Sequence, residues 1–126
     1  METKNYTDIE QSKKLAEILP LESADGVIVS FGDRDGVKTV VMPSETLNAI
    51  KTPFSDIRGS IPCWSLTALL EFLRNRHDCN YVTLASNKAS LWCLRTSYYN
   101  HVWEDAEEVS ENAVDACVKM IFRLEV

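Results

Sequence analysis

The stretch Ile61-Pro62-Cys63-Trp64-Ser65-Leu66-Thr67-Ala68-Leu69-Leu70-Glu71-Phe72-Leu73 decides the fold, because it has the features of a complete helix start. Pro62 restricts the approach to the helix, and Ser65 can accept a backbone N–H as the N-cap residue. Trp64 precedes that cap and can pack on Leu69 as a hydrophobic staple. Four leucines at helical spacing then share one face, namely Leu66, Leu69, Leu70 and Leu73. The stretch therefore predicts a core helix that begins near Ser65.

A helix and a hairpin are predicted upstream of this stretch. Thr7 and Glu10 have the spacing of a capping box, which predicts that a first helix begins after Thr7. Residues 26–31 and 37–42 are rich in β-branched side chains, and the Asp and Gly residues between them favour a tight reversal. Residues 51–60 include a proline and a glycine, lack any period and are predicted to form a connecting loop.

A second hairpin and a last helix are predicted downstream. Residues 81–85 and 90–95 flank Ser86-Asn87-Lys88, where Asn87 suits a tight turn. Residues 112–124 have an apolar stripe at helical spacing. The predicted element order is therefore α-β-β-loop-α-β-β-α. This order is typical of an α+β fold, in which one antiparallel sheet of about four strands carries about three helices on one face.

The length and charge of the chain limit its class. Its 126 residues fit a single globular domain that spans residues 1–126. The net charge is −6 and the basic residues are scattered, whereas duplex binding requires clustered Lys and Arg. Direct nucleic-acid binding is therefore not expected. No apolar run approaches the roughly 18 residues of a spanning helix, so no membrane role is expected either.

The cysteines and the start of the chain favour a cytoplasmic location. The first residues are polar, unlike a secretory signal, and the four cysteines are irregularly spaced. These are Cys63, Cys79, Cys93 and Cys117. We therefore expect reduced thiols.

The sequence contains few candidate catalytic or metal-binding residues. A thiol nucleophile needs a base within hydrogen-bond reach, and the two imidazoles are His77 and His101. Cys63 and His77 lie at opposite ends of the central helix, roughly 20 Å apart at 1.5 Å per residue. Cys79 and His77 are compatible with each other, and they are the nearest to a metal-ligand pair, but a Cys-x-x-Cys motif is absent. No catalytic residue, metal site or cofactor is assigned.

One aromatic cluster is a candidate surface for a protein partner. The candidate residues are Tyr98, Tyr99 and Trp103, beside the acids Glu104 and Asp105. Tyr and Trp are favoured in interface hot spots, although the same residues also suit packing within the fold. Five carboxylates fall within residues 104–111. They are predicted to form a solvated loop before the last helix, with a partner-binding acidic patch as the alternative.

Four segments carry a resemblance to a known family. They are Glu10-Gln11-Ser12-Lys13-Lys14-Leu15, Glu22-Ser23-Ala24-Asp25, Ile61-Pro62-Cys63-Trp64-Ser65-Leu66 with Leu69-Leu70-Glu71, and Asp115-Ala116-Cys117-Val118-Lys119-Met120. In these segments and their order, the chain resembles the small uncharacterised proteins carried by Bacteroidetes-type gut bacteria and their prophages. The resemblance implies an intracellular accessory protein from a mobile element, and it brings no activity or catalytic residue.

Three functions from different classes remain open on the sequence. The leading hypothesis is a small non-enzymatic interaction or accessory protein with an unknown protein partner. The first alternative is a thiol- or metal-dependent hydrolase built on His77, Cys79 and distant acids. The second is an acidic nucleic-acid mimic that inhibits a DNA-binding protein, which predicts carboxylates spaced along one exposed surface. The sequence does not set the oligomeric state.

Overall fold

The structure is a computed structural model that describes residues 4–33, 36–43, 57–87 and 91–125. The chain divides into two compact units, which we call the N-terminal unit (Tyr6–Ser65) and the C-terminal unit (Met1–Asn5 with Leu66–Val126). The described residues form three α-helices and two three-stranded antiparallel sheets. The α+β class is confirmed, whereas the predicted single sheet of about four strands is corrected to six strands in two sheets. The extent of the domain stays a prediction.

The N-terminal unit contains one helix and one sheet. Its elements are α1 (Ile9–Leu15), a 3-10 turn (Leu21–Ser23), β1 (Gly26–Asp33), β2 (Gly36–Pro43) and β3 (Ile57–Cys63). The strand order is β2-β1-β3, and both pairings are antiparallel. The hairpin of β1 and β2 is therefore as predicted, and α1 packs against β3.

The third strand of this sheet was not predicted. Residues 57–60, which were expected to belong to a loop, form the first half of β3, while residues 51–56 lie outside the described part of the chain. Pro62 pairs with Val27 within this strand. A proline is tolerated there because β3 lies at the edge of the sheet, where one row of backbone groups has no ladder partner.

The start of α1 differs from the prediction by one residue. Asp8 is the N-cap, and it forms a capping box with Gln11. Thr7 cannot take that role because its hydroxyl is buried, 2.7 Å from the hydroxyl of Ser12, and accepts the N–H of Trp64 at 3.1 Å. A threonine expected to cap a helix instead joins two distant parts of the chain.

Trp64 is the largest fully buried side chain of the N-terminal unit. Its indole Nε1–H donates to Ser23 Oγ at 2.9 Å, and its carbonyl accepts the N–H of Thr7 at 3.0 Å. The next residue, Ser65, donates its N–H to Asp25 Oδ1 at 2.8 Å and its hydroxyl to the other carboxylate oxygen. Thr7 and Trp64 are buried, and buried polar groups are stable only when they are paired in this way, whereas the bonds between Ser65 and Asp25 are exposed.

The C-terminal unit contains two helices and the second sheet. Its elements are α2 (Leu66–Arg74), β4 (Cys79–Ser86), β5 (Trp92–Asn100), β6 (Val102–Ser110) and α3 (Ala113–Glu125). The strand order is β4-β5-β6, with antiparallel pairing throughout. The predicted loop at residues 104–111 is thus largely the edge strand β6. In the part of the chain that the structure describes, the helices are too short or too polar to span a membrane.

Both helices of the C-terminal unit lie on one face of its sheet. α3 packs against β5 and β6, and α2 packs against α3 and β4. Leu94, Thr96 and Ala106 are buried on the helix-covered face. Because strand side chains alternate between faces, their neighbours lie on the other face. We call this other face the open face, and its exposed residues are Tyr81, Thr83, Ala85, Arg95, Tyr99, Trp103, Asp105, Glu107 and Val109.

Close packing at Gly26 gives a first testable consequence. A Cβ atom at this position would lie 2.5 Å from Tyr6 Cε1 and 2.8 Å from Cys63 Sγ. We expect Gly26→Ala to lower the free energy of unfolding by about 1–3 kcal/mol, because a buried site without space must shift its neighbours. Denaturant unfolding followed by circular dichroism measures the change.

A double-mutant cycle with Tyr6 provides the control for Gly26. In a Tyr6→Ala background the ring that the new methyl would meet is absent, so Gly26→Ala should cost less there than in the wild-type chain. An equal cost in both backgrounds would show that crowding by Tyr6 is not the reason for glycine at this position.

Candidate functional site

The pairing of β5 with β6 divides the five predicted partner-binding residues between the two faces of the sheet. Tyr98 pairs with Glu104, Tyr99 with Trp103, and Ser97 with Asp105. Tyr99, Trp103 and Asp105 therefore share the open face. Tyr98 and Glu104 alternate with these residues along their strands. They therefore lie on the helix-covered face, as the buried core residues do.

Tyr99 and Trp103 form an exposed aromatic pair. Their ring centroids are 5.5 Å apart and the rings are tilted by 60°. The side chains are 53% and 57% exposed, and Tyr81 on the same face is 42% exposed. Large aromatic rings are well buried on average, so an exposed group of them is a candidate binding surface. The aromatic pair is the most prominent feature of the open face.

The charges of the open face are arranged in rows across β5 and β6. Arg95 Nε donates to Glu107 Oε2 at 2.8 Å, and this ion pair is exposed. Asp105 lies in the next row, opposite the small side chain of Ser97. Among the described residues, Asp105 forms no salt bridge, whereas Glu107 is paired. One uncompensated carboxylate therefore lies between the aromatic pair and the Arg95–Glu107 ion pair.

Two hollows flank that ion pair on the open face. The first has a volume of about 340 Å³ and lies beside Asp105; it is lined by Tyr81, Arg95, Asp105, Ala106 and Glu107. The second has a volume of about 360 Å³ and extends toward the other end of the strands; its lining includes Thr83, Ala85, Cys93 and Val109. Each hollow could hold one side chain of a partner.

Tyr98 and Glu104 are joined to each other. The Tyr98 hydroxyl donates to Glu104 Oε2 at 2.8 Å, and this hydrogen bond to a carboxylate raises the pKa of Tyr98. Both residues stay predictions as partner contacts. They cannot share one face with Tyr99 and Trp103, because adjacent residues of a strand point in opposite directions.

The acidic run of β6 does not form a single row of carboxylates. Asp105 and Glu107 lie on the open face, while Glu104 and Glu108 lie on the helix-covered side. Glu108 is 3.4 Å from Arg123, and Glu107 is paired on its own face. Nucleic-acid phosphates would be imitated by evenly spaced, uncompensated charges on one surface, and β6 lacks that arrangement.

The outer edge of β6 is only partly covered by α3. Lys119 Nζ donates to the carbonyl of Val109 at 3.2 Å, and Arg123 Nη1 donates to the carbonyl of Glu107 at 3.3 Å. These carbonyls point away from β5, and in an antiparallel strand the backbone groups of every second residue point the same way. The backbone groups of Trp103 and Asp105 therefore also face the outer edge, beyond the reach of these two side chains.

The candidate nucleophile and metal ligands are in a different environment. His77 is exposed and Cys79 is half-buried, and burial raises the pKa of the Cys79 thiol. Burial also raises the pKa of Cys63 and of Cys117, in each case to about 12. A cysteine nucleophile needs a lowered pKa, so these thiols have the opposite character. The described residues include no cluster of three or more His, Cys, Asp or Glu side chains able to hold a metal ion.

An ion cluster supports the backbone of the aromatic pair. Arg76 Nε and Nη2 donate to the two oxygens of Asp78 at 2.8 and 2.7 Å, and Nη1 donates to Glu125. The guanidinium also lies over the ring of Phe72, 6.0 Å from its centroid. The carbonyl of Asp78 accepts the N–H of Tyr99 at 2.7 Å. The cluster thus fixes the strand end that carries one of the exposed rings.

Acid should weaken this cluster. The hydrogen bond from Arg76 lowers the pKa of Asp78 below its ordinary 3.8. The Arg76–Asp78 pair therefore contributes fully to the free energy of unfolding above pH 3.8, and this contribution is lost as the pH falls through the lowered pKa of Asp78. We expect Arg76→Met to lower the free energy of unfolding by about 1 kcal/mol at pH 7. The difference from the wild-type chain should shrink progressively below about pH 4 in denaturant titrations.

Arg95→Met is the matched control for Arg76→Met. It removes an arginine from an ion pair in which both side chains are well exposed, at 63% and 46%, and such pairs contribute little to stability. A similar, pH-dependent loss in both variants would contradict the role given to the Arg76 cluster.

The turn between β5 and β6 holds His101 in an unusual conformation. His101 has a φ of 65°, and it is the one non-glycine residue with a positive φ in the described ranges. It lies between Asn100 and Val102, directly beyond the aromatic pair. Left-handed backbone is sterically unfavourable for residues with a Cβ atom. The reversal that brings the two rings together therefore stores some strain.

Substitutions at His101 should change stability in opposite directions. We expect His101→Gly to raise the free energy of unfolding by about 0.5 kcal/mol, since relief of strain exceeds the added chain entropy. We expect His101→Val to lower it by about 1 kcal/mol, because β-branched residues tolerate positive φ worst. Denaturant unfolding measures both, and a neutral valine variant would mean that the turn does not impose this φ.

Similarity to other proteins adds nothing to these geometric observations. No protein-family model, curated protein or solved structure is significantly similar to this chain.

Proposed function

We propose that this chain is a small non-enzymatic interaction protein that binds a protein partner through the open face. The observation that carries the proposal is the aromatic pair, in which Tyr99 and Trp103 are both more than half exposed on the face without helices. Tyr and Trp supply large contact area at a low cost in side-chain entropy, which is why they dominate interface hot spots.

Packing within the chain does not account for these rings. Trp64 has an exposed fraction of 0% and its indole N–H is hydrogen-bonded, as expected of a tryptophan used for packing. Trp103 is 57% exposed, and the aromatic ring that it contacts, Tyr99, is itself exposed. Exposed apolar surface of this kind is unfavourable in water unless a partner covers it.

The two alternative functions have less support than an interaction role. A thiol hydrolase needs a thiolate, whereas burial raises the pKa of Cys79. A nucleic-acid mimic needs a row of free carboxylates, whereas those of β6 are divided between two faces and several are paired. An interaction surface requires neither feature.

The cellular role in this proposal follows from the sequence resemblance. We propose an accessory protein of mobile-element origin that acts in the cytoplasm. All four cysteines, Cys63, Cys79, Cys93 and Cys117, are free thiols, as expected in a reducing compartment.

Affinity capture tests the interaction role. The wild-type chain and the Tyr99→Ala/Trp103→Ala variant would each be used to capture proteins from native cell lysate, with identification by mass spectrometry. We expect a partner that the wild-type chain retains and the variant loses. In a binding assay with that partner purified, the double variant should bind at least about 30-fold more weakly, because hot-spot truncation costs about 2 kcal/mol or more.

The matched control is Val40→Ala/Val41→Ala. These two aliphatic side chains of β2 are 45% and 44% exposed and belong to the N-terminal unit, so the control removes exposed apolar surface elsewhere. A captured protein that both variants lose equally would indicate non-specific adhesion. Identical captures by the wild-type chain and the aromatic variant would refute the proposed function.

A further inference from the structure

We infer that the partner presents an extended basic segment, with a lysine or arginine side chain held between the aromatic pair and Asp105. This inference rests on the proposed function, and it assigns the chemistry of the segment that the open face binds. It is argued from the rings, the free carboxylate and the edge of β6.

The aromatic pair has the geometry to receive a cation. The rings are tilted by 60° with their centroids 5.5 Å apart, so they form an open corner. Because both rings are more than half exposed, a ring face remains accessible to a ligand. A cationic side chain within about 6 Å of such a ring centroid is attracted by the negative face of the π system.

Asp105 supplies the complementary charge. It lies two residues from Trp103 on the same face of β6, at a distance of about 7 Å along the strand. A lysine or arginine side chain can span that distance while its aliphatic part contacts a ring. Glu107 is already neutralised by Arg95, so the uncompensated negative charge of the open face is next to the aromatic pair.

The edge of β6 favours an extended occupant. Lys119 and Arg123 occupy the carbonyls of Val109 and Glu107, which closes that half of the edge. The edge-facing backbone groups of Trp103 and Asp105 lie beyond them, where another strand can add by backbone hydrogen bonds. Every second side chain of an added strand would then point to the open face.

A second copy of this chain is a poorer occupant than a basic segment. Pairing of two β6 edges would bring Asp105 and its neighbouring carboxylates toward their equivalents in the other copy, and each copy has a net charge of −6. Like charges on adjacent strands are destabilising. The charge of this edge therefore selects a partner of the opposite sign.

A defined peptide tests this inference directly. The probe is a ten-residue peptide of alternating lysine and threonine, titrated into the full chain and followed by tryptophan fluorescence and calorimetry. We expect binding that weakens as salt increases. The same peptide with every lysine acetylated, and a glutamate-threonine peptide, should not bind measurably.

Single substitutions separate a specific site from general attraction between opposite charges. Trp103→Ala should weaken binding about tenfold, while Trp103→Phe should retain most of the affinity. Asp105→Asn should weaken it about three- to fivefold and reduce its salt dependence. Glu108→Gln is the control for net charge, because it also removes one carboxylate but from the other face of β6, where Glu108 is paired with Arg123, and it should leave the affinity unchanged.

Three results would overturn the inference: no binding of the lysine peptide, equal binding of the acetylated peptide, or equal losses in Asp105→Asn and Glu108→Gln. The affinity capture then separates the two proposals. A captured partner that still depends on Tyr99 and Trp103 would leave the proposed function standing with a different ligand chemistry. A captured partner that binds equally well without the Tyr99 and Trp103 side chains would refute both the proposed function and this inference.

Discussion

Antiparallel pairing between β5 and β6 is the constraint on which the candidate surface depends. Each residue of β5 has one fixed partner in β6, so a single register places Tyr99, Trp103 and Asp105 together. The same register directs Leu94 and Ala106 toward the helices. A slip of one residue would exchange the two sets, since strand side chains alternate between faces. The hydrophobic core therefore fixes the composition of the exposed surface.

Much of the fold could be predicted from local patterns. The central helix and both hairpins have clear periodicity, and the structure contains them. β3 and β6 were missed for two different reasons. Pro62 is unusual in a strand, and the carboxylates of β6 have low strand propensity, so neither run appears β-forming. Both strands lie at sheet edges, where pairing on one side compensates for a poor local sequence.

The candidate surface could be predicted only as a group of residues. From residue type alone Tyr98 and Tyr99 are equal candidates, because residue type does not show on which face of a sheet a side chain lies. Which of the two shares a face with Trp103 depends on pairing with β6, a strand that the sequence pattern did not indicate. The environment of Cys79 likewise depends on tertiary burial, which no spacing rule provides. The face on which a side chain lies and the extent of its burial depend on the fold, and residue type alone does not determine them.

The bond between Thr7 and Trp64 has a consequence for synthesis of the chain. The two residues are 57 positions apart, and they join the segment before α1 to the end of β3. At translation rates of about 5–20 residues per second, Thr7 is made on the order of 3–10 s before its partner exists. The N-terminal unit therefore cannot complete its core while its first helix is leaving the ribosome. Its folding must wait for the second half of its own sequence, and until then the apolar residues of its core stay exposed to solvent.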